Sequence, residues 1–225
     1  MEYIYSGVSL QNKRSSNMDS LILKTKYIDK MSALLAVVCD GVGSLSEGAF
    51  ASAIAARTLS AWFDAIDSTQ RIGLKMRDTI LQINTEITIR AQEQNIQTAS
   101  TLSALLFVEN MYYIVHVGDS RIYCHDGGNL FSLTNDDVTE QGKLAAYIGQ
   151  GESMALQYTE GAAEGKTFLI CSDGLYKRMD NQELVTRIKA DNMRVVKESV
   201  LALTEYVIGK GEQDNITIAV MKMKN

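Results

Sequence analysis

The sequence of 225 residues contains no proline, so no proline-rich linker marks a boundary between domains. It also lacks an apolar run of about 18 residues, the length that a membrane-spanning helix needs. The first residues, MEYIYSGVSLQNKR, show no basic region followed by a long apolar stretch, which argues against a signal peptide. We therefore expect one cytoplasmic domain over residues 1–225, without a membrane partner.

Positive charge is also scarce. The sequence has 22 lysines and arginines against 27 aspartates and glutamates, which gives a formal net charge of −5. Proteins that bind nucleic acids usually present a basic face to the phosphate backbone. We therefore expect no nucleic-acid partner. The acidic excess instead directs attention to clusters of carboxylates.

Cysteine and histidine are equally sparse. Cys39, Cys124 and Cys171 are odd in number, far apart, and each lies in or beside an apolar run. This pattern predicts buried, reduced thiols, and it fits neither a disulfide framework nor a zinc site. His116 lies within an apolar strand and His125 in a hairpin arm, so we assign both a structural role.

The apolar patterns predict an α+β protein in which helices cover antiparallel sheets on their outer faces. A first helix is expected from Glu47 to about Ile66, and a second around Ile80, Ile83 and Ile87. A third helix is expected over 193–209, ending at Gly209. Predicted strands cover 3–8, 19–28, 32–40, 100–109, 111–119, 120–126, 129–134, 154–160, 167–174 and 216–223.

Five aspartates stand where a predicted strand meets a turn: Asp19, Asp40, Asp119, Asp173 and Asp214. One Asp after a strand is usually a turn or cap residue, but five such positions favour a shared site. Crowded carboxylates repel one another unless a cation lies between them. Mg²⁺ and Mn²⁺ prefer such oxygen ligands, so the pattern predicts a site for these ions.

The stretch VVCDGVGSLSEG, residues 37–48, could be a plain turn, a phosphate-binding loop or a metal site. A Walker A loop needs a lysine after Gly48, and a dinucleotide-binding loop needs a glycine where Ser46 stands, so both fail. Gly41, directly after Asp40, would let a backbone carbonyl approach a metal. A metal site therefore explains this stretch best.

With these residues in view, the chain resembles the metal-dependent protein phosphatases of the PPM family, the PP2C-type serine/threonine phosphatases. Each motif is short, but all occur in the family's order across nearly the whole chain. They are R-x-x-N-x-D (Arg14, Asn17, Asp19), D-G-x-G (Asp40, Gly41, Gly43), S-T (Ser100, Thr101), G-D-S-R (Gly118 to Arg121), S-D-G-L (Ser172 to Leu175) and D-N-x-T (Asp214, Asn215, Thr217).

The resemblance implies two central antiparallel sheets flanked by helices on both sides, an α-β-β-α sandwich. It also implies two Mn²⁺ or Mg²⁺ ions in a core site, bridged by Asp40. The carbonyl of Gly41 and the carboxylates of Asp173 and Asp214 would complete that site. Asp19 would act through metal-bound water. Asp119, together with Asp173, would hold the third ion seen in bacterial members.

The implied reaction is hydrolysis of phosphoserine and phosphothreonine on proteins by a water that bridges the two ions, without a phosphoenzyme intermediate. Arg14 would grip the substrate phosphate, a task that suits a guanidinium group. The substrates would be phosphoproteins made by a serine/threonine kinase in a bacterial cell, and the enzyme a monomer. The cysteines should play no part, since no arginine falls six residues after Cys171.

Three departures from the family pattern qualify this hypothesis. Val42 stands where eukaryotic members commonly have a histidine, which suggests a bacterial style of site in which a metal-bound water acts as the acid. Met18 replaces the usual Glu or Gln, and the polar run between residues 134 and 148 is short for the family's flap. The alternatives are a pseudophosphatase that binds phosphoproteins without turnover, and a regulator that dephosphorylates anti-sigma antagonist proteins.

Overall fold

The computed structural model describes residues 3–43, 45, 47–152 and 154–224. Ser46, on which the argument against a dinucleotide-binding loop depends, lies outside these ranges. The strands are β1 (Tyr3–Leu10), β2 (Asp19–Ile28), β3 (Met31–Asp40), β4 (Leu102–Val108), β5 (Met111–Val117), β6 (Arg121–Asp126), β7 (Asn129–Ser132), β8 (Gln157–Ala162), β9 (Thr167–Cys171) and β10 (Ile216–Met223). The helices are α1 (Gly48–Ala65), α2 (Ile72–Gln94), α3 (Asp173–Tyr176), α4 (Asn181–Arg187) and α5 (Met193–Gly209).

The strands form two five-stranded sheets, in the orders β1-β10-β9-β6-β7 and β2-β3-β4-β5-β8. The pairings between neighbours are antiparallel, as predicted. Tight turns link consecutive strands: Asp29 and Lys30 adopt positive φ between β2 and β3, as does Glu109 between β4 and β5. Because the register of β2 on β3 sets Asp19 opposite Asp40, the first two predicted site residues meet at one end of this sheet.

Three buried layers hold the fold together. Between the sheets, Phe107 packs edge-on against Phe168, with ring centroids 5.0 Å apart. Leu59 and Phe63 of α1 pack with α2 on the outer face of the second sheet, and Leu203 of α5 packs on the outer face of the first. The result is the expected α-β-β-α sandwich.

The continuous apolar runs of β3 and β4 follow from this layering. Leu35 and Val37 face the helices α1 and α2, whereas Leu34 and Val38 face the other sheet. Both faces of these central strands are therefore buried, which explains why their sequences are almost entirely apolar. No helix in the described part of the chain combines the length and apolar character that a membrane crossing requires.

Several predicted bounds need correction. β9 ends at Cys171, and Asp173 begins the short helix α3 instead of ending a strand. β8 starts at Gln157, three residues later than predicted, and α2 starts at Ile72, eight residues before Ile80. Strands β2 and β10 and helix α5 have the predicted bounds. The short helices α3 and α4 were not predicted.

Candidate active site

A pocket of about 250 Å³ opens where β3, the β5–β6 connection, the start of α3 and the loops beside β1 and β10 meet. It brings together most of the predicted site residues, although they are spread over the whole sequence. The pocket is lined by Arg14, Ser15, Ser16, Met18, Asp40, Gly41, Val42, Gly43, Thr101, Asp119, Leu144, Asp173, Asp214 and Asn215.

Asp40 is fixed by its backbone. Its N–H donates to Thr101 Oγ1 at 3.0 Å, and its carbonyl accepts from the Thr101 N–H at 2.9 Å and from Ser100 Oγ at 3.1 Å. Thr101 Oγ1 in turn shares a 2.7 Å hydrogen bond with Ser120 Oγ. The S-T pair of the sequence therefore positions the carboxylate at the end of β3 and leaves it free to face the pocket.

Asp19 lies behind the pocket and does not line it. Its side chain is 9% exposed, and its carboxylate accepts a hydrogen bond of 2.9 Å from Ser172 Oγ. Ser172 also ties the second half of the site together, because its N–H donates to the Thr217 carbonyl at 2.9 Å and its Oγ accepts from the Thr217 N–H at 3.0 Å. The strand end that carries Asp19 is thereby joined to the turn before Asp173.

Two glycines allow the close backbone packing that the site requires. A Cβ added to Gly174 would lie 2.1 Å from the Asn215 carbonyl oxygen. A Cβ on Gly41 would lie 2.5 Å from the Gly48 carbonyl and 2.7 Å from that of Met18. Only glycine fits at either position without moving the neighbouring chain.

Arg14 forms a two-pronged ion pair with Asp214. Its Nε donates to Oδ1 at 2.7 Å and its Nη2 to Oδ2 at 2.6 Å. The loop that carries Arg14 is braced by Asn215, whose amide donates to the carbonyls of Gln11 at 2.8 Å and Ser16 at 3.0 Å. The predicted phosphate-binding arginine is thus held at the pocket by a predicted metal ligand.

Lys177 forms the corresponding contact with Asp173, four residues earlier at the start of α3. The ammonium donates a hydrogen bond to Asp173 Oδ2. Sequence reasoning missed this residue, although the spacing of four residues after an acidic position is the signal that a helical ion pair leaves. It also assigned no role to Asn215, Ser172 or Thr217 beyond membership of a motif.

The electrostatics of the carboxylates differ. Burial, followed by the charges of Asp19, Asp173 and Asp119, holds the pKa of Asp40 well above its usual range. Burial also raises the pKa of Asp19 to about 6 and that of Asp119 to about 6. For Asp214, burial acts in the same direction, but the Arg14 hydrogen bond and the Asn215 backbone outweigh it and lower the pKa.

The donor set fits hard divalent cations. The pocket lining offers four carboxylates and the backbone of Gly41, and its described part has no cysteine or histidine. The raised pKa of Asp40 marks a negative cluster that cations would relieve. Among the described residues, no three His, Cys, Asp or Glu side chains already form a group that could hold a metal ion. Asp173 and Asp214 instead contact Lys177 and Arg14.

The thiols and imidazoles lie away from this chemistry. All three cysteines are buried and free, as predicted, and burial raises the pKa of the Cys39 and Cys171 thiols. His116 is buried, and it bonds Ser103 Oγ at 2.8 Å and the Gly118 carbonyl at 3.1 Å. Burial lowers its pKa, so the neutral form stabilises the end of β5.

Fold and pocket together define an α-β-β-α sandwich with a carboxylate site at one end. The family model for protein phosphatase 2C matches residues 7–206. The chain therefore belongs to the protein phosphatase 2C family.

Curated relatives and solved structures agree with this placement. The chain is 28% identical over 213 residues to the serine/threonine phosphatase Stp of Listeria monocytogenes, covering 84% of each chain. It is 27% identical over 209 residues to the serine/threonine protein phosphatase PstP of Mycobacterium tuberculosis, covering 84% of this chain but only 40% of PstP. The serine/threonine phosphatase structure from S. agalactiae superposes with a TM-score of 0.86 at 22% identity, covering 99% of this chain and 100% of that one. This last likeness concerns the fold alone.

Proposed function

We propose that this protein is a metal-dependent serine/threonine protein phosphatase, a phosphoric monoester hydrolase. The observation that carries the proposal is the convergence of Asp40, Asp119, Asp173 and Asp214 on one pocket, with Arg14 at its mouth. These residues come from separate strand ends and loops, so a local turn preference does not explain their meeting. Family membership supports the same reaction.

In this proposal Asp40, Asp173, Asp214 and the Gly41 carbonyl hold two Mn²⁺ or Mg²⁺ ions, with Asp40 as the shared ligand. Bound there, the ions would supply an acidified bridging water for in-line attack on phosphorus and would neutralise charge on the phosphoryl oxygens. No phosphoenzyme intermediate is required. The described pocket lining has neither cysteine nor histidine, so it offers no nucleophile for a phosphocysteine or phosphohistidine intermediate.

The protein's own side chains bind and orient the substrate. Arg14, more than half exposed and held by Asp214, presents its remaining N–H groups to solvent at the pocket mouth, where a phosphate can bind. Asp19, behind Asp40 and bonded to Ser172, keeps the two halves of the site in register. It would act on the ions through metal-bound water. Thr101 and Ser100 fix the backbone on which Asp40 stands.

The substrates proposed are proteins phosphorylated by a serine/threonine kinase in a bacterial cytoplasm, with the phosphatase acting as a monomer. The relatives named serine/threonine phosphatases support the substrate class.

Mn²⁺-dependent release of phosphate from a phosphothreonine peptide tests the proposal. Asp40→Asn should lower the rate by at least about a hundredfold, because it removes the shared ligand and its charge. Asp191→Asn serves as the matched control, since Asp191 is exposed between α4 and α5, and its rate should equal that of the wild type.

A wild-type rate no higher than that of Asp40→Asn at saturating Mn²⁺ would sink the enzyme proposal. Binding of the phosphopeptide without turnover would then support the pseudophosphatase alternative. Met18 at the pocket wall, in place of an acidic or amide side chain, is the observation that favours that alternative.

A further inference from the structure

Lys177 places a positive charge inside the carboxylate cluster. It is the residue after α3, and the spacing of four residues turns its side chain back over Asp173. The Asp173 side chain is 17% exposed and that of Lys177 is 57% exposed. The ammonium therefore contacts Asp173 at the edge of the pocket, while more than half of the Lys177 side chain is exposed to solvent.

The influence of this ammonium extends beyond Asp173. Its charge acts to lower the pKa of Asp119 and of Asp214. Burial of the stem works against the charged form of Lys177, but the hydrogen bond and charge of Asp173, with the charges of Asp119 and Asp40, outweigh it and raise the Lys177 pKa. Lys177 thus acts as a counter-cation to the side of the pocket formed by Asp173 and Asp119.

We infer that Lys177 competes with divalent cations for Asp173, and so weakens the binding of an ion that uses Asp173 together with Asp119, its neighbour in the pocket lining. The inference rests on the proposed function, because it concerns ions in the same pocket. Lys177 would thereby set how many divalent ions the site binds at a given ion concentration.

The physical reason is that an ammonium and a divalent ion require the same carboxylate oxygen. An ion that approaches Asp173 has to displace the Lys177 hydrogen bond and then experiences repulsion from the ammonium. Because the lysine stem is exposed and flexible, the side chain can swing into solvent when an ion binds. The expected effect is therefore a lower affinity and not complete exclusion.

Arg14 does not have the same effect on the Asp173 side. Its guanidinium is engaged with both oxygens of Asp214, and that loop is braced by Asn215. Asp40 forms no ion pair with either cation in the described part of the chain, so neither cation occupies its carboxylate. Lys177 is therefore expected to act mainly on the ion that uses Asp173 with Asp119.

Titration with Mn²⁺, followed by electron paramagnetic resonance of the free ion, measures the number of bound ions and their Kd values without any turnover. The weakest class of site should bind about tenfold more tightly in Lys177→Met than in the wild type. Lys177→Arg, which keeps the charge, should remain within about threefold of the wild type. Lys197→Met, which removes an equal charge from the exposed face of α5, should match the wild type.

Equal Mn²⁺ affinities for wild type and Lys177→Met would overturn the inference, as would the same gain in Lys177→Arg. If the equal affinities accompany Mn²⁺-dependent phosphate release, only the competition is lost and the proposed function stands. If neither protein binds Mn²⁺, the metal site itself is refuted and both proposals fall. Circular dichroism of each variant establishes that it is folded.

Discussion

The site contains two kinds of carboxylate. Asp173 and Asp214, here called the paired carboxylates, each contact a cation of the chain, Lys177 and Arg14. Asp19, Asp40 and Asp119, here called the unpaired carboxylates, form no ion pair within the described residues.

The two sets of carboxylates differ in their electrostatic environment. Burial, followed by repulsion from neighbouring carboxylates that include Asp173, raises the pKa values of the unpaired carboxylates. Of the paired carboxylates, Asp173 begins α3 and Asp214 lies in the loop before β10, and a lysine and an arginine already balance their charges. The comparison predicts that removing an unpaired charge relieves more repulsion within the site than removing a paired one.

The largest expected effect comes from removing an unpaired charge. In EDTA, Asp40→Asn should be more stable than the wild type by about 1–2 kcal/mol, because an amide relieves the repulsion in the cluster. At a Mn²⁺ concentration about 100 times Kd, the wild type should gain about 2.7 kcal/mol and the variant much less. Urea unfolding in both conditions should therefore show the order of stability reversing.

Asp191→Asn is the control for that experiment and should follow the wild type in both conditions. Equal stabilisation of Asp40→Asn and wild type by Mn²⁺ would erase the distinction between the two sets of carboxylates.

A smaller effect on stability is expected at Gly174, where the backbone beside Asp173 packs closely against the backbone beside Asp214. Gly174→Ala should lower the free energy of unfolding by about 2 kcal/mol, because the new Cβ would meet the Asn215 carbonyl oxygen. Gly209→Ala, in the last turn of α5 with nothing within 4 Å of its added Cβ, should be neutral or stabilising by up to about 1 kcal/mol. Thermal or urea unfolding compares the two.

The Gly174 pair also tests whether this close approach matters for ions. Gly174→Ala should weaken Mn²⁺ binding, since it pushes the loop of Asp214 away from Asp173. Unchanged affinity and stability in Gly174→Ala would mean that the loop shifts freely and that the paired carboxylates are not fixed by it.

The smallest expected effect on the reaction is at the thiol nearest the paired set. Cys171→Ser should leave the rate of phosphate release within about twofold of the wild type, because the buried, protonated thiol takes no part in the chemistry. It should cost about 1 kcal/mol of stability through the buried hydroxyl. A collapse of the rate in a folded Cys171→Ser protein would argue for thiol chemistry.

Much of the architecture could be predicted from the sequence because long elements carry repeated signals. The helix α5 and the strands β2 and β10 repeat their apolar pattern often enough to define both ends. The helices α3 and α4 have 4 and 7 residues, too few for a period to be visible. Tertiary packing on the first sheet stabilises them, which local sequence does not reveal.

The site also has features that the sequence predicts and features that it does not. The aspartates could be found because each follows or precedes an apolar run, and the pocket brings four of the five together. That Asp19 lies behind the pocket depends on the register of β2 with β3, which was not predicted. The contact of Arg14 with Asp214 spans 200 residues and requires the pairing of β1 with β10. Their assigned chemical roles stay predictions.

The position of β1 at the edge of its sheet has a consequence for how the protein is made. Its hydrogen-bonded neighbour in the sheet is β10, so β1 leaves the ribosome long before the strand with which it pairs. Pairings between such distant segments slow folding, because the loop between them has to close first. Until β10 pairs with β1, a nascent chain has Asp19 and Asp40 but lacks Asp214 in its folded position. It also lacks the Asn215 hydrogen bond that braces the loop carrying Arg14. The site is therefore complete only after β10 has been synthesised and has paired with β1.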